Sequence, residues 1–196
     1  MSRRTFLIAG ISLALLTLMA FPLDHAIAAA CRNIPPVFLP TIRFITHLGE
    51  SQYILVPALL LMLAFRKTRT APTFIAARNT FTCVAATGII IQIPKYLFGR
   101  ARPKALWDRG LDGFHGITWD TSLTSFPSGH TATAVALALV LFHLFPKARI
   151  PLFLYAGFVA LSRILLLQHY LSDVLGGAFI ALLITIPLAK RLEVRV

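Results

Sequence analysis

Three clusters of polar residues at the ends of apolar stretches have the residue types and spacing that chemistry on an anion requires. The first cluster is Lys95 with Arg102 and Pro103, which closes a long apolar stretch. If one helix continued through it, the two cations would lie on nearly one face, about 10 Å apart along the axis. Two cations that face one point suit a phosphate group. The alternative is a Lys and an Arg that extend along apolar surface to reach a membrane boundary.

The second cluster is the sequence Pro-Ser-Gly-His at 127–130, directly before another apolar stretch. A helix that begins after Ser128 and Gly129 presents free backbone N–H groups and the positive end of its dipole to an anion. A phosphate oxygen fits that position. The alternative is a simple N-cap in which the Ser128 hydroxyl caps the helix and His130 has no chemical role.

The third cluster is Ser162-Arg163, followed by His169 and Asp173. Residues four apart are neighbours on a helix, so the carboxylate of Asp173 is predicted to accept from one imidazole nitrogen of His169 and leave the other free. A continuous helix would turn Arg163 about 120° away from His169, which predicts a break near Gln168. The alternative is an ion pair of the core, although Asp173 is the only acid within an apolar stretch.

Apolar stretches separate the clusters and must position them. They lie at about 5–22, 52–65, 73–98, 131–146, 150–168 and 171–189. None alternates as a barrel strand does, which predicts six transmembrane helices in one all-α membrane domain over residues 1–196. A composition of 57% hydrophobic and 13% charged residues excludes a disordered chain, a coiled coil and an ordinary soluble domain. The segment 35–49 is predicted to form a short interfacial helix.

The distribution of basic residues predicts the topology. The chain has 19 Lys and Arg residues and seven acidic residues. The basic residues are dispersed over short loops, which argues against a nucleic-acid partner. Basic groups flank every second boundary, at Arg3-Arg4, Arg66-Lys67-Arg69, Lys147-Arg149 and Lys190-Arg191-Arg195. The positive-inside rule then puts both termini in the cytoplasm and all three polar clusters on the outer side.

Taken together, the clusters resemble the motifs of the membrane-bound type 2 phosphatidic acid phosphatases (PAP2), a family that shares a core with vanadium haloperoxidases. The family's motifs are a lysine, six residues and Arg-Pro, then Pro-Ser-Gly-His, then Ser-Arg, five residues, His, three residues and Asp. Every position of these motifs is matched between Lys95 and Asp173. The resemblance implies a PAP2-like helical core and a lipid phosphatase.

The resemblance also implies a role for each motif residue. His169, oriented by Asp173, would attack phosphorus and form a phosphohistidine, while His130 would protonate the leaving alcohol and then activate water. The phosphate oxygens would be held by Lys95, Arg102, Ser128, the Gly129 N–H and Arg163. No cofactor and no metal is expected, since these cations would repel a dication.

The favoured hypothesis is a bacterial inner-membrane enzyme that dephosphorylates a membrane lipid at the periplasmic face. Phosphatidylglycerophosphate, phosphatidic acid, undecaprenyl pyrophosphate and lipid A 1-phosphate remain open as substrates. One alternative is a phosphotransferase that uses a polyprenyl pyrophosphate donor, and another is a non-catalytic carrier of lipid phosphates. The expected partners are the substrate lipid and the bilayer, with no obligatory protein partner.

Overall fold

The structure, a computed structural model, describes residues 2–192. Met1 and residues 193–196, which include Arg195 of the last basic group, lie outside the described residues. Within residues 2–192 the chain is helical and has no β-strand, which confirms the all-α prediction. The α-helices are α1 (Arg3–Ala20), α2 (Asp24–Cys31), α3 (Leu39–His47), α4 (Gln52–Ala64), α5 (Pro72–Ile90), α6 (Gln92–Phe98), α7 (Pro103–Arg109), α8 (Gly129–Leu144), α9 (Arg149–Leu165) and α10 (Leu171–Leu192).

Five helical stretches are long and apolar enough to cross a membrane. They are Arg3–Cys31, Pro36–Ala64, Pro72–Phe98, Pro146–Leu165 and Leu171–Leu192. The remaining predicted span, 131–146, corresponds to α8, whose apolar part, Gly129–Phe142, is shorter, so length alone does not establish six spans. The predicted short helix is present as α3 and forms part of the second stretch, and its interfacial position stays a prediction.

Helix α8 runs through the middle of the bundle, where it packs against α5, α9 and α10. Its alanines on several faces are buried, namely Ala132, Ala134, Ala136 and Ala138. Small side chains allow neighbouring helix backbones to approach closely, so α8 fits among three partners. This central position brings the Pro-Ser-Gly-His sequence to one end of the bundle, between the ends of the other core helices.

Two chain breaks set the directions of the remaining polar residues. Helix α6 ends at Phe98 because Gly99 adopts a φ of +58°, and a Cβ there would lie 2.0 Å from the Gly116 carbonyl oxygen. The helix therefore does not continue from Lys95 to Arg102. The two cations do not share one helical face, because that arrangement required a continuous helix. The second break confirms the prediction near Gln168, since α9 ends at Leu165 and α10 begins at Leu171.

Candidate active site

The three polar clusters meet at one end of the bundle. The backbone N–H of Ser128 donates to the Asp173 carbonyl oxygen at 2.9 Å, which joins the second cluster to the third. The Arg102 guanidinium donates to the Gln168 side chain at 2.8 Å, which joins the first to the third. A Cβ on Gly129 would lie 3.4 Å from the Lys95 ammonium nitrogen, so the first and second clusters also adjoin. The predicted residues thus form one site.

Three cations of this site, Lys95, Arg102 and Arg163, have no acidic partner within the part of the chain that the structure describes. Among residues 2–192, no carboxylate oxygen lies within 4.0 Å of their charged nitrogens. Arg163 is buried and donates to Thr46 at 2.7 Å, while its Nε finds no hydrogen-bond partner in the described part of the chain. A buried donor without a partner is costly, so this cluster is suited to bind an anion.

The imidazole of His169 is held in a defined tautomer. Its Nδ1 lies 2.7 Å from the carbonyl oxygen of Ser125. A carbonyl oxygen can only accept, so Nδ1 carries the proton and Nε2 keeps a free lone pair. Burial lowers the pKa of His169 well below its usual value, and the charges of Arg163 and Arg102 act in the same direction. The ring is therefore a neutral base or nucleophile.

The predicted hydrogen bond between His169 and Asp173 is wrong. Nδ1 is 3.7 Å from the nearer Asp173 oxygen, because His169 precedes the first turn of α10 and the two residues do not share a helical turn. The same Asp173 oxygen instead accepts from the Ser125 hydroxyl at 2.5 Å and from the Tyr170 N–H at 2.7 Å. Asp173 therefore fixes Ser125, and the carbonyl of Ser125 holds the ring.

Ser128 and Gly129 begin α8, but the Ser128 hydroxyl makes no capping hydrogen bond. It accepts from the Thr131 hydroxyl at 3.0 Å, which keeps it close to the start of the helix. The backbone of this turn packs directly on α10, because a Cβ on Gly177 would lie 2.4 Å from the Ser128 carbonyl oxygen. The simple N-cap is therefore not what the structure contains, and half-buried His130 occupies the next position on the first turn of α8.

The residues missed by sequence reasoning are Arg100 and Asp24. Arg100 donates to Asp173 and to the Ser172 hydroxyl, each at 2.6 Å, and to Asp24 at 2.7 Å. Asp24, at the start of α2, also accepts from the Ser172 N–H at 3.0 Å and is 1% exposed. A second arginine beside Arg102 and an acid between two apolar segments were the available signals. Their pairing spans 76 positions and depends on the tertiary fold.

Two cavities adjoin His130. The first, about 700 Å³, is also lined by Arg163 and Gln168 and extends toward α2, α3 and α7. The second, about 550 Å³, is lined by Lys95 and by apolar residues of α4 and α5 such as Leu55 and Ile89. A charged group at His130 therefore has polar space on one side and a more apolar groove on the other. Within residues 2–192, no group of three His, Cys, Asp or Glu residues could hold a metal ion.

The family model described as the PAP2 superfamily matches residues 76–195. The chain belongs to the PAP2 superfamily. The matched range contains all three clusters and Arg100, whereas Asp24 lies outside it. The network that supports Asp173 therefore joins the matched PAP2 region to the N-terminal helices.

Two curated relatives are bacterial proteins named lipid A 1-phosphatase. The one from Rhizobium etli is 34% identical over 97 residues, which cover 50% of this chain and 42% of the relative. The one from Rhizobium johnstonii is 29% identical over 164 residues, covering 76% of this chain and 67% of the relative. The match thus spans less than half of the first relative and about two thirds of the second.

Solved structures share the fold over most of the chain. The crystal structure of a transmembrane PAP2-type phosphatidylglycerolphosphate phosphatase from Bacillus subtilis is 24% identical, with a TM-score of 0.68 over 93% of this chain and 94% of that one. The crystal structure of Aquifex aeolicus LpxE is 25% identical, with a TM-score of 0.64 over 86% of this chain and 95% of that one. Together with the apolar helices, these similarities identify a multi-pass membrane protein with the PAP2 fold.

Proposed function

We propose that this chain is a lipid phosphatase of the PAP2 type that uses His169 as a nucleophile and needs no metal. The observation that carries the proposal is the neutral imidazole with a free Nε2 lone pair beside Lys95, Arg102 and Arg163. These three cations have no acidic partner among residues 2–192. Such cations stabilise the charge that spreads over the equatorial oxygens in phosphoryl transfer. Family membership and the names of the relatives support the same reaction class.

The proposed reaction has two displacements. In the first, Nε2 of His169 forms a bond to phosphorus as the bond to the lipid oxygen breaks. His130, which must enter this step as the imidazolium, gives its proton to the leaving alcohol. In the second, His130 takes a proton from water, the water oxygen bonds to phosphorus, and the P–N bond breaks. The products are the lipid alcohol and inorganic phosphate, and both histidines return to their starting states.

We also propose that the site faces the periplasm and that both termini are cytoplasmic. Helices α8 and α10 begin at the site, and α5 and α9 run toward it. Their opposite ends adjoin the basic groups at 66–69, 147–149 and 190–191, which the positive-inside rule assigns to the cytoplasm. A substrate from the outer leaflet would then present its phosphate directly to His130.

The proposed substrate is a phosphorylated membrane lipid. The apolar lining of the second cavity fits an acyl or prenyl chain, and the first cavity has space for a polar headgroup. The candidates are phosphatidylglycerophosphate, phosphatidic acid, undecaprenyl pyrophosphate and lipid A 1-phosphate. Names of relatives point to the last, and the Bacillus subtilis fold relative acts on the first.

The deciding experiment measures phosphate release from each of these four lipids by purified protein in neutral detergent. We expect release from at least one lipid without an added acceptor, in EDTA, with inhibition by vanadate, which adopts the trigonal bipyramidal geometry of the transition state. His169→Ala protein is the control and should release none. Activity that needs added magnesium or zinc would refute the metal-free mechanism.

The same assay separates the alternatives. A phosphotransferase would release little phosphate until a second lipid acceptor is supplied, and a carrier would release none while binding every lipid that the cations recognise. Equal phosphate release by the wild type and by His169→Ala protein would remove this residue from the chemistry.

A further inference from the structure

The first cavity is lined by three more cations that the proposed reaction does not use. Arg32 at the end of α2, Arg43 of α3 and Lys104 of α7 line the same continuous space as His130 and Arg163. We infer that they form a second anion subsite, which binds another phosphate group of the same lipid headgroup. This inference rests on the proposed function and names the substrate class as lipids with at least two phosphates on a large headgroup.

Two acids line this cavity, Glu50 and Asp108, and neither contacts Arg32 or Arg43. Glu50 is bound by His47, whose Nδ1 lies at 2.5 Å, and by the Gln52 amide. Asp108 lies 3.9 Å from Lys104, a long contact between two exposed side chains. In the described part of the chain, no carboxylate oxygen lies within 4.0 Å of the side-chain nitrogens of Arg32 or Arg43.

The remaining described acids are also committed elsewhere, since they pair in the structure with other bases. Asp24 and Asp173 share Arg100, while Asp112 pairs with His25 and Asp120 with Arg109. The positive charge of Arg32 and Arg43 is therefore available to a ligand.

The geometry of these cations suits an anion bound in one orientation better than a loosely associated counter-ion. The Arg32 guanidinium lies 5.4 Å from the centre of the Trp107 ring, which also lines the cavity. Stacking on an aromatic ring limits the orientations of the guanidinium, and Arg binds phosphate through two parallel hydrogen bonds. Arg32 directly follows α2, Arg43 lies on α3 and Lys104 lies on α7, so three separate segments of the chain supply the cations of the cavity lining.

The size of the cavity indicates what lies between the two subsites. Its volume of about 700 Å³ falls within the range of roughly 300–1,000 Å³ that is typical of sites for whole small molecules, and far exceeds the need of one phosphate. Leu39, Ile34 and the Trp107 ring provide apolar and aromatic surface in the lining. A sugar or disaccharide fits this mixture, with the scissile phosphate at His130 and the second phosphate at the outer cations.

The test compares two lipids that differ by one phosphate. Both are acylated glucosamine disaccharides with a 1-phosphate, and only one carries a second phosphate on the distal sugar. The variant is the double substitution Arg32→Gln and Arg43→Gln. Its matched control is Arg66→Gln with Arg69→Gln, which removes two charges from exposed positions next to the other ends of α4 and α5. The main assays use neutral detergent without other anionic lipids, and a second series adds an anionic lipid to the micelles.

We expect the variant to raise KM for the two-phosphate lipid about tenfold or more, because charge-assisted hydrogen bonds are lost. For the one-phosphate lipid we expect a change of less than about twofold, as for the control with both lipids. An equal change with both lipids, or no change with either, would overturn the second subsite. So would an effect that arises only when anionic lipid is added to the micelles, since this indicates binding of neighbouring lipids.

Binding of both lipids is measured in parallel with His169→Ala protein, with and without the two arginine substitutions. This arm tests the subsite even if neither lipid is hydrolysed. Absence of hydrolysis by the wild type counts against the proposed function, whereas equal affinity for the two lipids counts against the subsite. We expect tighter binding of the two-phosphate lipid, and loss of that preference in the arginine variant.

Discussion

Asp24→Asn isolates the contribution of the N-terminal helices to the active site. The side chain is 1% exposed, and the substitution keeps its shape while removing the charge that faces Arg100. The Asn oxygen still accepts from the Ser172 N–H, but its amide hydrogens then face the guanidinium. We expect lower stability and a lower kcat, with KM unchanged because the substitution does not touch the cations proposed to bind phosphate.

The magnitude follows from the charges of the network. In the wild type, Arg100 donates to Asp24 and Asp173 at 2.7 and 2.6 Å. Removing one member of a buried ion pair costs about 3–5 kcal/mol. Because Arg100 keeps Asp173 as a partner, we expect about 3 kcal/mol for Asp24→Asn. Arg100→Gln leaves two buried carboxylates without a cation and should cost about 5 kcal/mol or more.

The effect on turnover comes from the chain of contacts that ends at His169. In Asp24→Asn protein, Arg100 is paired with one carboxylate instead of two and therefore restricts the position of Asp173 less than in the wild type. Asp173 in turn fixes Ser125, whose carbonyl oxygen orients the His169 ring. We expect kcat to fall about tenfold, which corresponds to about 1.4 kcal/mol in the activation free energy.

Equilibrium unfolding in mixed detergent micelles and phosphate-release kinetics measure the two effects. Asp112→Asn is the matched control, because Asp112 pairs with His25 at 3.0 Å and both side chains are exposed. An exposed pair of this kind contributes less than about 1 kcal/mol. If Asp24→Asn matches this control in both stability and kcat, the network has no role in holding the site.

Three further predictions concern the site itself. His169→Ala should abolish phosphate release while lipid binding persists. Asp173→Asn should retain weak activity, since the Ser125 carbonyl still contacts the His169 ring. Phosphate-release and lipid-binding assays on both variants measure these effects. The lowered pKa of His169 keeps the ring neutral through the usual range near pH 6.5, so its NMR signals in the free protein should titrate only at more acidic pH, and a transition near 6.5 would contradict the structure. Gly177→Ala should displace the Ser128 backbone, with at least tenfold lower activity and about 1–3 kcal/mol lower stability. Gly157→Ala on α9, where a Cβ meets no atom within 4 Å, should leave activity intact and change the unfolding free energy by less than about 1 kcal/mol.

The sequence predicted the helical class because apolar length is a local property. That the three clusters would hold one phosphate was implied by the resemblance of their motifs to the PAP2 family. The break near Gln168 was also predictable, since a straight helix could not direct Arg163 and His169 to one point. The direct contact of Asp173 with His169 was wrong because it assumed that α10 begins before His169. The residue at which a helix begins depends on its tertiary surroundings, and the spacing of residues in the sequence carries no information about these.

Arg100 and Asp24 were outside the reach of pattern reasoning for a different reason. Neither belongs to a motif position, and the two local signals, a second arginine beside Arg102 and an acid between two apolar segments, do not reveal that these residues pair with each other. Only the packing of the N-terminal helical segment against α10 brings the Asp24 carboxylate to Ser172 and Arg100. A buried acid whose partner is far away in the chain has no local signature in a single sequence.

The Asp24 network also has a consequence for how the protein assembles. It joins positions separated by 76 and 148 residues, from the first helical stretch to the last. Contacts between distant parts of a chain require closure of long loops and form late in folding. During synthesis, Asp24 emerges long before Arg100 and Ser172, so its carboxylate must remain hydrated or transiently paired until α10 inserts. The proposed phosphatase activity therefore requires the complete bundle, and co-expressed halves split between α7 and α8 should gain activity only when they associate.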